Sequence, residues 1–158
     1  MILIAACGDA QPVETATPVV DTVAERDAWL MRSNGFVAFG LDDVENVWMM
    51  DVHCLTSGIA VAMERVGGIY TEGAEGHSVP VTAAADGRTR EETWLYVPRE
   101  DQFRFQDYLL ASNPGIVVGQ LSDSETVKYS IPTDANPYIV NFETAGLVEH
   151  VPDPDEFC

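Results

Sequence analysis

From residue 36 onward, apolar and polar residues alternate with the two-residue period of half-buried β-strands. The clearest run is 46–54. Trp48, Met50, Val52 and Cys54 fall on one side of the pleat, and Asp51 and His53 fall on the other. The apolar side is the expected core face, which turns the Cys54 sulfur inward. Before it, Asn34-Gly35 separates two apolar runs, Trp29-Leu30-Met31 and Phe36-Val37-Ala38-Phe39. Both turn residues tolerate positive φ, so the pattern predicts a hairpin. Ser57-Gly58 reads as a turn into a strand over 59–66, and Gly67-Gly68 as a turn into 69–71. Residues 73–77 read as loop. Strands over 78–83 and 93–97 are expected to pair across the polar stretch 85–92, and Pro98 ends the second. Further strands are predicted over 115–121, 126–131 and 138–142.

Helical signals are fewer. Thr22 and Glu25 have capping-box spacing and predict a short helix over 22–28. Residues 100–112 carry Gln102, Phe105, Tyr108, Leu109 and Ser112 at three- and four-residue spacing, and Asn113-Pro114-Gly115 stops the run. A helical turn is expected near 143–150. The sum predicts a mainly β (α+β) domain: an antiparallel sheet or sandwich of about eight short strands with two or three short helices. The chain has no GxGxxG, no P-loop and no βα rhythm, so nothing points to a nucleotide or other cofactor.

Composition sharpens this picture. With 158 residues and 46% hydrophobic positions, the chain has the size of one domain and enough apolar surface for a core. Its 26 acidic against 8 basic residues give a formal charge of −18. Phosphate backbones and anionic surfaces repel such a chain, so nucleic acid is excluded as a natural partner. An acidic face for a cationic partner and a surface adapted to a saline setting both accommodate the charge. The acids are scattered, which favours the second.

The first residues add an address. Ile4-Ala5-Ala6-Cys7 resembles the lipobox of bacterial lipoproteins, in which an aliphatic and two small residues precede a cysteine that takes lipid. Only six residues precede Cys7 and none is basic, so this would be the end of a signal whose start lies further upstream. Residues 1–6 then read as residual signal, 7–20 as a Pro/Thr/Ala-rich tether, and 21–158 as a single β-rich domain. The expected location is the periplasmic side of a bacterial membrane, with contact to that membrane only through the lipid. Of the three cysteines, Cys7 would be acylated, which leaves Cys54 and Cys158 to pair in an oxidising compartment. The alternative is two unrelated thiols.

A sparse family resemblance runs through residues 29–158. Trp29, the Asp42-Asp43 turn, the Cys54 strand, Trp94, the segment 105–111, the strand 116–118, and Phe142-Glu143-Thr144-Ala145-Gly146-Leu147 before a final cysteine follow one another. This order is similar to small periplasmic proteins of type VI secretion loci and, more loosely, to invasion-associated-locus-B-type proteins. The resemblance implies export, a β-rich fold and a long-range disulfide. It implies no catalytic residue.

Candidate chemistry is thin. Asp51 and His53, two apart on the outer side of a strand, form a polar pair of the kind that orients a general base. No nucleophile motif accompanies them, and a solvated surface pair is the plainer reading. His77 lies in a loop beside Glu72 and Glu75, His150 follows Glu149, and such isolated histidines build no metal site. Asp42, Asp43 and Glu45, and the tail Asp153, Asp155 and Glu156, lack calcium-loop spacing and read as solvated turns. Trp48, Trp94, Phe103, Phe105 and Phe142 read as core. Tyr70 and Tyr138 read as exposed recognition residues. Three roles follow: a non-catalytic lipoprotein domain binding a protein or envelope component; an acidic inhibitor of a basic secreted enzyme; and an enzyme with a dispersed site.

Overall fold

In the computed structural model the described residues are 28–69, 77–98, 107–151, 153, 157 and 158. The expected helix over 22–28, the tether, Cys7, Tyr70, Phe103 and Phe105 therefore lie outside them, apart from residue 28, which is not helical.

Among the described residues nine antiparallel strands form one sheet: β1 (Trp29–Arg32), β2 (Gly35–Asp42), β3 (Val47–Leu55), β4 (Gly58–Arg65), β5 (Ser78–Ala85), β6 (Arg88–Val97), β7 (Tyr108–Ala111), β8 (Thr126–Ile131) and β9 (Tyr138–Glu143). Their order is β1-β2-β3-β4-β7-β6-β5-β8-β9, and β9 returns to pair with β2. That last pairing closes β2 to β9 into an eight-stranded barrel, with β1 as an extra strand. β2 is shared along its length: Gly35–Ala38 pair with β1, and Gly40, Leu41 and Asp42 with Phe142, Asn141 and Val140 of β9, in that order.

Alternation explains the closed shape. Phe36 and Ala38, Trp48, Met50 and Val52, Val61 and Met63, and Leu109 and Ala111 share one core with their counterparts on the remaining strands. That core includes Trp94, Tyr129 and Phe142, each fully buried. An eight-stranded barrel has an interior just wide enough for side chains to fill. Here Trp94, Tyr129 and Phe142 fill it edge to face.

Three local expectations change. Tyr108–Ala111, expected at the end of a helix over 100–112, is a strand whose Leu109 and Ala111 point inward; residues 100–106 lie outside the described set. The helix forms instead over α1 (Pro114–Asp123), where a strand over 115–121 was expected. Pro114 occupies the first helical turn, for which its fixed φ is suited, and Val117, Val118 and Leu121 bury against the barrel. Tertiary packing outweighs the strand preference of the β-branched run. The connection 85–92 is mostly strand, because β5 and β6 pair down to Ala85 and Arg88 around Asp86-Gly87.

The two barrel ends differ. At the end holding the β1–β2 turn, α1 reaches from β7 to β8 and packs against β4, β8 and a 3₁₀ turn at Leu147–Glu149. The Cys54–Cys158 disulfide also lies at this end and spans 104 residues of sequence. The opposite end holds the β2–β3 turn and the C-terminal ends of β4, β6 and β8.

Candidate functional site

The structure brings the sequence-predicted polar pair together. On the outer face of β3, His53 Nε2 lies 3.0 Å from Asp51 Oδ2. Arg32 also reaches Asp51, with Nη1 at 3.2 and 3.3 Å from its two carboxylate oxygens. Gly35 lies between Arg32 and His53 in the strand register and adds no side chain to separate them. Asp51 thus anchors two partly exposed cationic or protonatable groups. Among the described residues no hydroxyl is bonded to His53, and the neighbouring Cys54 sulfur is tied in the disulfide. The geometry is that of a charged surface triplet.

At the barrel end away from α1, the Asp42 side chain is fully buried, contrary to the solvated turn expected from sequence. It accepts hydrogen bonds from the Val44 and Asn46 backbone N–H groups, the Asn46 amide, the Trp48 indole at 3.0 Å and Arg65 Nε at 3.3 Å. Burial pushes its pKa up, but these hydrogen bonds outweigh it and hold the carboxyl below its usual value. Arg65 stacks over the Tyr138 ring and donates to Gly68 O. Tyr138 is half-buried, packs edge-on to Trp48 and donates to Ile69 O, so it belongs to this knot rather than to a free surface. Beside it the buried Asp107 accepts from the Ile69 N–H and the Tyr96 hydroxyl. All these donors are protein groups, and no cluster of metal-ligating side chains occurs among the described residues.

A different arrangement sits at the α1 end. A shallow pocket of about 120 Å³ opens between the start of β6 and the first turn of α1. Glu92, Trp94, Ala111, Asn113, Ile116 and Val117 line it, with Arg90 and Glu91 at its edge. Glu92 Oε2 accepts from the Trp94 indole at 3.1 Å, whereas Oε1 is enclosed and has no close hydrogen bond. Burial pushes the Glu92 pKa up, opposed by Trp94, Arg90 and the Gln120 amide. Burial, reinforced by the Glu92 charge, also pushes the Tyr129 hydroxyl well above its usual value. Sequence reasoning placed Glu92 in a polar connection and missed it. The available signal was parity: Glu92, Trp94 and Tyr96 alternate, so an inward Trp94 carries Glu92 to the same side.

His77 starts the approach to β5, where its carbonyl accepts from Tyr96 N–H, and the His150 ring packs tilted against Trp29 at 5.0 Å. The structure does not bring the histidines together. No family model, curated protein or solved structure matches the chain.

Proposed function

We propose that the chain is a non-catalytic binding domain, held at the periplasmic side of a bacterial membrane by a lipid on Cys7, whose outer surface engages a basic protein or another envelope component. The observation that carries this reading is the filled barrel. Two tryptophans, Tyr129, Phe36 and Phe142 occupy the interior that a lipocalin-sized barrel would otherwise offer to a ligand. What is left for recognition is the exterior, and a chain of formal charge −18 selects partners of opposite sign. A tether raises local concentration, so weak contacts suffice.

Crosslinking in native membranes tests the reading. The expected result is a captured partner of net positive charge, retained less as salt rises, on a chain whose intact mass includes acyl groups. Salt-independent capture, or a chain with no acyl mass and three free thiols, overturns it. The Glu92 pocket favours a more specific second reading, in which the acidic domain caps and inhibits a basic secreted enzyme.

A further inference from the structure

We propose that the pocket between the start of β6 and the first turn of α1 seats one cationic side chain, lysine or arginine, of a basic protein, with the Glu92 carboxylate as its counter-charge. This rests on the binding reading above and names the site within it.

Size is the first argument. At about 120 Å³ the pocket falls far below the roughly 300–1,000 Å³ of small-molecule sites and has room for a single side chain. Its walls give the second. Trp94, Ala111, Ile116 and Val117 are apolar, which suits the methylene stem that lysine and arginine bury while their charged heads stay polar-bound. Ile116 is left 42% exposed at the mouth.

The third argument is the carboxylate. Trp94 holds one oxygen, the other is enclosed without a close hydrogen bond, and the Gln120 amide is a further side chain that favours the charge. Arg90, two residues along the same strand, is exposed and makes no ion pair with it. A carboxylate whose burial outweighs its few donors gains from a further positive charge beside it. An anionic ligand would add repulsion from Glu91 and Glu92. A neutral apolar side chain would bury the carboxylate further without adding a donor. A cation answers both, and the acidic surface steers it toward the domain.

The Trp94 indole N–H, bonded to Glu92, is a built-in reporter. The chain's other two tryptophans are internal controls, because Trp29 donates to Ala145 O and Trp48 to Asp42. The ¹⁵N-labelled full chain is titrated with hexalysine and hexaarginine at low ionic strength. The Trp94 indole signal is expected to move saturably while those of Trp29 and Trp48 stay in place. Glu92→Gln keeps an acceptor for Trp94, and should abolish that movement and weaken binding by about tenfold. Glu143→Gln, which removes the same charge from an exposed site on β9, should change binding by less than roughly twofold. Equal losses in the two variants, or peptide binding with a silent Trp94, overturn the pocket and leave the wider binding reading standing. Failure of both peptides to bind at all overturns the two together. The wild-type titration decides the matter even if a variant misfolds.

Discussion

The Trp48 indole donates to Asp42 Oδ2 at 3.0 Å, so one of the two core tryptophans and a fully buried carboxylate hold each other at the barrel rim. Every donor around Asp42 is an N–H group, and one belongs to Arg65. Asp42→Asn would turn an amide N–H toward that ring of donors and strand the Arg65 charge. Breaking a buried, hydrogen-bonded pair by removing one partner typically costs about 3–5 kcal/mol. Urea unfolding of Asp42→Asn should show a loss in that range. A loss below about 0.5 kcal/mol would mean that the knot is solvated.

Asp42 and Glu92 should push stability in opposite directions with pH. The folded-state pKa of Asp42 lies below its ordinary 3.8, so the stability it contributes is complete above that value and lost as pH falls through the folded pKa. For Glu92, burial raises the folded-state pKa above its ordinary 4.5, so the folded chain binds the proton more tightly. Its penalty is absent below 4.5 and grows as pH rises through the raised pKa. Glu92→Gln should therefore stabilise the free protein at pH 7, and the gain should shrink toward pH 4. Thermal melts across that range check the sign; destabilisation at pH 7 would show a partnered Glu92.

Pattern and parity made the strands legible, whereas packing and closure were not. Thr126–Ile131 matches the predicted strand at both ends, and Asn34-Gly35 does mark the first hairpin, with Gly35 opening β2. The α1 segment misleads because Ile116, Val117 and Val118 prefer strands and Gly115 disfavours helix. Only the barrel end it covers makes it helical, and that end is built by residues distant in sequence. The return of β9 to β2 joins Gly40 to Phe142, a pairing that no local signal encodes. Asp42 was misread for the same reason: its acidity is visible in the sequence, but its ring of donors comes from Trp48, Arg65 and a turn. The Glu92 pocket needed both the parity of β6 and the unforeseen helix.

Cys54 and Cys158 pin the chain end to the barrel, and Phe157 packs edge-on against the core residue Phe36 at 5.8 Å. The closed loop spans a sequence separation of 104, near the length at which loop-entropy models reach about 4.7 kcal/mol, with about 2–4 typical of measurement. Cys54→Ser with Cys158→Ser should lower the melting temperature by roughly 10 °C. Wild-type protein in reductant should fall by the same amount, and the variant should not respond to reductant. A wild-type melt indifferent to reduction would indicate that the core alone holds the C-terminus.

The barrel seam is the final test, because it depends on a missing side chain. At Gly40 a Cβ would stand 2.7 Å from Asn141 O and 3.0 Å from the Phe142 ring, two of the three residues through which β9 pairs with β2. Phe142 is fully buried against Tyr129, so the ring has no free space to retreat into. Gly40→Ala should then cost about 1–3 kcal/mol by overpacking, read by denaturant unfolding. Gly115→Ala provides the contrast. A Cβ there meets nothing within 4 Å, and alanine suits a helix, so a gain of about 0.5–1 kcal/mol is expected. If Gly40→Ala proved as harmless as Gly115→Ala, β9 would not be closed tightly on β2. The packed interior, on which recognition by the outer surface rests, would then have an open side.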